Sequence, residues 1–355
     1  MRIKKYIQTY QHKFWTGLLL VQFCWFYICS KVDFLTQFYI DFFEFQKAFH
    51  QKVFSVLPFS VGDIIYIIFG IFIVFILIKV VKKSTRNKYL KILLIATNVC
   101  YFTYQIFWGM LYFKEPIIKN FAKVENPKDA AKALVLKYLE RCKKTREVVS
   151  ENQDGVFVIN NLESIQKEVI QNQNHLPAFI SSAKGTGITN LKPSLYRNLM
   201  SYTGILGYYN PFTSEAQFNS QMPSTSIPFT LAHESMHQFG IAREQEANFT
   251  AYLIGKNAKN SDLKYSTEYY VLKSLLAYLA NDNPEFVKSI LSNYSPAMKR
   301  DRKFEIEFKK KHRGLLEEFF GFTNDLFLKS NQQDGSITYS YFIDILIRYE
   351  RADFK

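Results

Sequence analysis

Two of the six histidines lie four residues apart, at His233 and His237, and Glu234 directly follows the first. On an α-helix, residues i and i+4 project from the same face, so both imidazoles can bind one cation. The Glu234 carboxylate then lies on the neighbouring flank, where it can reach a metal-bound water without becoming a ligand. Hydrolytic zinc chemistry requires this combination of a Lewis acid and a base. The three residues therefore predict a zinc site in which Glu234 is the catalytic base.

A third protein ligand must come from nearby, because a catalytic zinc keeps three protein ligands and one open position. Glu244 and Glu246 follow closely in the chain, whereas His175 and His312 are distant. Both glutamates are candidates, with Glu246 the less favoured, and one helix cannot easily present both to the same ion, since about 200° separates them. Asn248 lies one turn after Glu244, where its amide can orient a ligand through a hydrogen bond.

Two helices must position these residues. Pro228 lies where a helix can begin, Gly240 lies where it would end, and residues 241–243 form a short turn. A second helical pattern follows over residues 244–256. The alternative interpretation is an ordinary helix that happens to carry two histidines, but the second, acidic helix favours zinc. Tyr252, Tyr269 and Tyr270 are candidates for stabilising an oxyanion, although packing in the core is the better interpretation for each.

The motif resembles that of the gluzincin peptidases, in which HExxH is followed by a glutamate in an ExxA(D/N) helix. Here these segments read HESMH and EQEAN. The resemblance implies that His233, His237 and Glu244 bind zinc, that Glu234 is the base and that Asn248 supports the ligands. The gap of six residues after the second histidine is shorter than in many gluzincins. It approaches the metzincin pattern, whose glycine matches Gly240 but whose third histidine is replaced by Arg243.

A broader resemblance covers almost the whole chain. The stretches PFTSEAQFN, PFTLAHESMHQFGIAREQEANFTAYL and NDLFLKSNQQDGSITYSYF are similar to a bacterial membrane family catalogued as domain-of-unknown-function family 3810. That resemblance implies a zinc peptidase-like domain behind hydrophobic spans, and it supplies no substrate.

Three apolar stretches precede the motif, at about residues 14–30, 64–81 and 92–113. Each is about long enough to cross the roughly 30 Å hydrocarbon core as a helix. A cleaved signal peptide is the alternative for the first stretch, but no small-residue cleavage pattern follows it. Buried core helices are the alternative for the other two. We expect three transmembrane helices, with the lipid bilayer as a partner.

The cations predict the orientation. Lys and Arg cluster before the first stretch and between the second and third, which places both regions in the cytoplasm. Residues 1–113 hold 13 Lys or Arg against four Asp or Glu, so they contribute +9 of the net charge of +14. The basic excess is therefore mainly a topology signal, and we expect no nucleic-acid partner.

These observations predict a membrane domain over residues 1–113 and an extracytoplasmic domain over residues 114–355. The expected fold is α+β, a mainly helical zincin-like domain with a small sheet. The expected protein is a multi-pass zinc metallopeptidase of the cytoplasmic (inner) membrane that cleaves a peptide or protein substrate with a zinc-bound water activated by Glu234. The alternative is a non-catalytic scaffold or signalling module, stabilised by metal, that retains the fold.

Overall fold

The computed structural model describes residues 2–180, 185–331, 333–335 and 341–352, without the side chains of residues 2–9 and 352. The fold is mainly helical with a small three-stranded sheet, as predicted for the α+β class. The chain divides into two compact units. The first comprises Met1–Lys114 with Pro211–Thr213, and the second comprises Glu115–Asn210 with Ser214–Lys355.

The first unit contains four long helices: α1 Arg2–Cys29, α2 Asp33–Phe54, α3 Val61–Val81 and α4 Arg86–Phe107. The helices α3 and α4 are each long and apolar enough to cross a membrane. The pair α1 and α2 reaches the same standard only when its members are taken together, and it bends by 103° at the break between them. Two helices, or up to three, can therefore span a bilayer.

Two features of this unit correct the predicted spans. The sequence predicts no helix over the segment that forms α2, although the apolar residues of this segment alternate with charged residues at helical spacing. The third predicted span continues to Phe113, but α4 ends at Phe107 and a 3-10 helix, Gly109–Phe113, follows. Met110, Leu111 and Tyr112 are buried inside the unit. Their apolarity thus serves packing within the unit and does not extend the spanning helix.

The second unit contains ten helices among its described residues: α5 Pro127–Arg146, α6 Leu162–Asn172, α7 Arg197–Thr203, α8 Ile227–Phe239, α9 Glu244–Lys256, α10 Ser261–Leu279, α11 Pro284–Ser292, α12 Pro296–His312, α13 Leu315–Ser330 and α14 Tyr341–Ala352. The sheet contains β1 Leu191–Pro193, β2 Gly207–Asn210 and β3 Glu215–Phe218. The strand β3 lies in the centre, parallel to β1 and antiparallel to β2.

The helix α8 lies at the centre of this unit, packed against the sheet, α6, α9 and α10. Its apolar residues Leu231, Ala232 and Met236 are fully buried. The Gln238 side chain donates hydrogen bonds to the carbonyls of Asn190 and Ser214, at 3.2 and 2.8 Å, and so attaches the helix to the sheet region. A helix held on several sides is a rigid platform for the side chains it projects.

A buried ionic cluster joins α5, α9 and α14. The Glu350 carboxylate accepts hydrogen bonds from Lys137 at 2.5 Å, from Lys256 at 2.9 Å and from the Tyr252 hydroxyl. Tyr252 in turn accepts a 2.8 Å hydrogen bond from Tyr138. Because every charge in this cluster has a partner, the cluster can be buried without an unpaired ion.

Candidate metal centre

The predicted helix–turn–helix is present around the two histidines. The helix α8 contains Pro228 in its first turn and ends at Gly240, whose φ of 103° is in the left-handed region that glycine readily adopts. The Gly240 N–H bonds the His237 carbonyl, and the Ile241 N–H bonds the Met236 carbonyl, both at 3.0 Å. The chain therefore reverses within a few residues and begins α9 at Glu244.

This reversal brings His233, His237 and Glu244 together. The two Nε2 atoms lie 3.1 Å apart. Glu244 Oε2 lies 3.2 Å from His233 Nε2, and Glu244 Oε1 lies 3.5 Å from His237 Nε2. One ligand atom from each residue fits within 4.8 Å of the others, so the three side chains can hold a metal ion. Glu246 is not among them.

The spacing fits zinc. Two atoms that each lie about 2.0–2.1 Å from a tetrahedral zinc ion are separated by about 3.3–3.4 Å. The distances of 3.1, 3.2 and 3.5 Å bracket this value. Two imidazole nitrogens and one carboxylate are also a donor set that occurs in catalytic zinc sites, and such a set leaves a fourth position open. The residues present therefore suit a zinc ion.

Backbone contacts orient the candidate ligands. The Nδ1 atom of His237 lies 2.8 Å from the Ile241 carbonyl, an interaction that turns Nε2 toward Glu244. The Nδ1 atom of His233 is buried and has no hydrogen-bond partner among the described residues. At the other helix, the Glu244 backbone N–H donates a 3.1 Å hydrogen bond to Oε1 of Gln333. Gln333 thus fixes Glu244, the first residue of α9.

The charges of the cluster stabilise one another. Burial disfavours ionisation of Glu244, but the two histidines outweigh it and hold the pKa of this carboxyl well below its usual range. Burial likewise disfavours the charged form of His237, yet the Glu244 carboxylate outweighs it and raises the pKa of the imidazole to about 9. His237 and Glu244 therefore form an ion pair beside His233.

Glu246 has a different role. Its Oε1 atom accepts a 2.9 Å hydrogen bond from the backbone N–H of Ile117 and lies 3.4 Å from Nη1 of Arg243. The side chain is buried. It therefore attaches the start of this unit to α9 and does not face the two histidines. The geometry favours Glu244 over Glu246 as the third ligand.

Glu234 lies beside the cluster as an unpaired buried acid. It is only 4% exposed, and its Oε2 atom has no hydrogen-bond partner in the described part of the chain. Burial raises the pKa of the Glu234 carboxyl to about 7, although the neighbouring His233 and His237 favour the ionised form. An unsatisfied buried oxygen is costly for stability, so its position beside the cluster requires an explanation.

The strand β2 confines this carboxylate. A Cβ atom added to Gly207 would lie 2.6 Å from Glu234 Oε1, 2.7 Å from its Cγ and 2.8 Å from the backbone oxygen of Gln217. Such contacts are too close for any side chain. Only a glycine at the first position of β2 therefore lets the strand approach Glu234 this closely.

The remaining predicted residues divide into two groups. Asn248 is buried one turn after Glu244, and its Nδ2 atom has no partner among the described residues; its supporting role stays a prediction. Tyr252 and Tyr269 are fully buried, and their hydroxyls contact Glu350 and Glu305. Tyr270 is half-buried and stacks on Phe229 at 3.7 Å between ring centroids. Burial raises the pKa of the Tyr270 hydroxyl, and the charge of the Glu244 carboxylate raises it further. Tyr270 therefore interacts electrostatically with the cluster.

Gly207 and Gln333 also shape this site, and neither could be predicted from the sequence. Both come from segments far from the motif, and neither residue type indicates a metal site. Gln333 lies in the stretch NDLFLKSNQQDGSITYSYF, whose similarity to the family is the single signal that marks it.

The chain belongs to the protein family of unknown function DUF3810, whose model matches residues 38–347. That match covers the second unit up to α14 and most of the first. No curated protein and no solved structure matches the chain. The family assignment confirms the broader resemblance, and the chemistry must be argued from the site.

Proposed function

We propose that the protein is a membrane-anchored, zinc-dependent metallopeptidase that hydrolyses peptide bonds. The observation that carries this proposal is the buried Glu234 carboxylate with a free oxygen, directly beside three side chains that fit one zinc ion. A base next to a metal site with an open position is what peptide hydrolysis needs.

His233, His237 and Glu244 would hold the ion, with the two imidazoles ligating through Nε2. When bound, zinc supplies Lewis acidity, which lowers the pKa of a water molecule toward 7 and polarises a substrate carbonyl. The rigid reversal at Gly240 keeps the donors at their spacing. The hydrogen bond from the Glu244 N–H to Gln333 fixes the carboxylate end of the site.

Glu234 would carry the proton. Its carboxylate takes a proton from the attacking water as the carbon–oxygen bond forms. The same carboxyl then gives that proton to the leaving amine as the carbon–nitrogen bond breaks. Burial raises the pKa of this carboxyl above its usual range, which makes it a better acceptor for the proton of the water. A general base of this kind typically contributes about 10² to 10⁴ in rate.

The donor set favours an enzyme over a scaffold. Structural zinc sites are closed by four protein ligands, whereas three donors converge here among the described residues. A scaffold also has no use for an unpaired buried carboxylate at the open side. The costly position of Glu234 beside this site therefore supports catalysis.

We infer the location from the helices and the cations. Two or three helices can cross a bilayer, and the Lys and Arg residues before α1 and between α3 and α4 favour a cytoplasmic position for both regions. The protein would then be a multi-pass protein of the cytoplasmic membrane with its second unit outside the cytoplasm. A peptide or protein in that compartment is the proposed substrate, and nucleic acid is not a proposed partner.

The test uses the full chain in lipid nanodiscs. Metal analysis should give one zinc per chain, and a peptide library should be cleaved. Glu234→Gln should keep the zinc and lose about 10² to 10⁴ in cleavage rate. The matched control is Glu163→Gln, since this exposed carboxylate pairs only with Lys167 in the described structure and should leave the rate unchanged. Cleavage by Glu234→Gln at the normal rate, or zinc-loaded chain that cleaves no library peptide, would count against the proposal.

A further inference from the structure

The helix α13 presents an unusual outer face. Leu315, Phe319, Phe322 and Leu326 are 84%, 60%, 63% and 50% exposed. Positions separated by four, three and four residues lie on one face of an α-helix. Leu316 and Phe327 flank this row and are also exposed. Soluble proteins rarely expose a contiguous apolar stripe of this kind, so the stripe indicates an interaction site.

The opposite side of α13 packs within the second unit. The helix contacts α7, where Gly204 lies against the Glu317 side chain. Leu328 is the buried residue on this side. The exposure of the six apolar residues is therefore not explained by a helix that lacks contacts with the rest of its unit. They remain outside after α13 has satisfied its contacts with its own unit.

The neighbouring helix α7 also exposes apolar residues. Leu199 and Tyr202 of α7 are about half exposed, as is Leu206 just after it. The Tyr202 ring lies 4.8 Å from the His312 ring, at the end of α12. Tyr202 thus lies close to the carboxyl end of α12.

A run of cations borders the apolar stripe of α13. Lys309, Lys310, Lys311 and Arg313 are all exposed, and none forms an ion pair with a residue that the structure describes. Of the two acidic residues in the first turn of α13, Glu317 points away from the row that begins at Leu315, whereas Glu318 lies about 60° to one side of Leu315. The surface therefore joins an uncompensated basic run to an apolar stripe.

We propose that this surface, which comprises the outer face of α13 and residues 309–313, docks on an anionic lipid bilayer. Apolar side chains of an amphipathic helix enter the interface between headgroups and acyl chains, while adjacent cations attract anionic headgroups. The pattern of exposed Phe and Leu beside Lys and Arg matches both parts of this interaction. A chain with helices long enough to span a bilayer holds such a surface permanently close to lipid.

A second copy of the chain fits this surface less well. If two copies paired through it, eight cations of the same sign would be brought together around the buried apolar residues. Like charges repel most strongly when their surroundings exclude water. An anionic bilayer covers the apolar face and compensates the cations together.

The test measures depth in the membrane on the full chain. The chain is reconstituted into vesicles of phosphatidylcholine with phosphatidylglycerol, and a fluorescent amino acid replaces Phe319. Lipids with a quencher on the acyl chain should quench this probe. The matched control places the probe at Leu136 of α5, an apolar residue that is also about half exposed, and it should stay unquenched.

Two further measurements test the cations. The variant Lys309→Gln with Lys310→Gln and Lys311→Gln should lower the ratio of docked to undocked protein on the order of 100-fold, since each cation strengthens binding about fivefold. High salt should weaken docking of the unmodified chain, as the screening length falls to about 3 Å at 1 M. Equal quenching at positions 319 and 136 would overturn the proposal. So would equal docking on vesicles of pure phosphatidylcholine, or energy transfer between copies without quenching by lipid.

Discussion

The backbone N–H of Ile117 donates a 2.9 Å hydrogen bond to Oε1 of Glu246. This contact engages the carboxylate two residues after Glu244 and directs it away from the histidines. Glu244, on the same helix, has the opposite arrangement, because each of its carboxylate oxygens lies within 3.5 Å of an imidazole Nε2. Two acidic residues that look equivalent in the sequence are therefore separated by their tertiary contacts.

We expect Glu244→Gln to weaken zinc binding by more than the roughly 10 to 100-fold that follows loss of a residue supporting a ligand. A neutral amide is a poor zinc ligand and removes the negative charge from the site. The matched variant Glu246→Gln keeps an oxygen that can accept from Ile117, so its zinc affinity should stay close to normal. Isothermal titration of zinc into both proteins measures the difference. Collapse of binding in Glu246→Gln with near-normal binding in Glu244→Gln would transfer the ligand role.

Gly207→Ala should reduce cleavage while zinc stays bound. The new methyl group would overlap the Glu234 carboxylate and the backbone oxygen of Gln217, so the base must move away from its position. Loss of a positioned base typically costs about 10² to 10⁴ in rate. The measurements are turnover and zinc content of the purified chain. The control is Gly321→Ala in α13, where a Cβ meets no atom within 4 Å and activity should be unchanged.

If Gly207→Ala and Gly321→Ala cleaved peptides at the same rate, the close approach of β2 to Glu234 would have no part in catalysis. Loss of zinc in Gly207→Ala would indicate a wider distortion of the site.

The local part of the site could be predicted from the sequence. The spacing of His233 and His237 places both on one helical face whatever surrounds them, and Gly240 marks the end of that helix. Glu244 follows after a turn too short to leave many alternatives. The roles of Gly207 and Gln333 could not be predicted, since they depend on how distant segments pack and neither residue type carries a metal signal.

The membrane helices show the limits of composition. Apolarity marks residues that avoid water, but it does not distinguish a spanning helix from apolar residues packed inside the protein. The residues after Phe107 are apolar and buried in the first unit, which is why the predicted third span continues past the end of α4. The helix α2 was not predicted because charged residues interrupt its apolar face, so that its segment lacks the continuous apolarity of a span.

The orientation of the chain is a separate prediction. Lys and Arg before α1 and between α3 and α4 should hold both regions in the cytoplasm, which leaves the chain after Phe113 on the other side. A reporter enzyme that is active only in the cytoplasm, fused after Phe113, should be silent. The same reporter inserted at Lys83, between α3 and α4, should be active. Strong activity of the first fusion would invert the orientation and move the proposed peptidase into the cytoplasm.

The buried cluster of Glu350, Lys137 and Lys256 predicts a pH-dependent stability. Burial opposes ionisation of Glu350, but the hydrogen bonds from Lys137, Tyr252 and Lys256 outweigh it and lower the pKa of this carboxyl to about 2. An unfolded glutamate has a pKa of about 4.3. The cluster's contribution is therefore fully present above about pH 4.3 and is lost as the pH falls toward about 2.

Glu350→Gln should lower the free energy of unfolding at pH 7 by on the order of 1–3 kcal/mol, because two partly buried lysines lose their carboxylate. The difference from the unmodified chain should shrink as the pH falls from about 4 to about 2, where Glu350 itself becomes neutral. Denaturant titration of the full chain in detergent micelles, followed by the near-ultraviolet circular dichroism of the tyrosines, measures both quantities. Glu163→Gln, which removes an exposed carboxylate from α6, should change the curve much less. A difference between Glu350→Gln and the unmodified chain that stays constant from pH 7 to pH 2 would show that Glu350 stabilises the fold through packing and not through its charge.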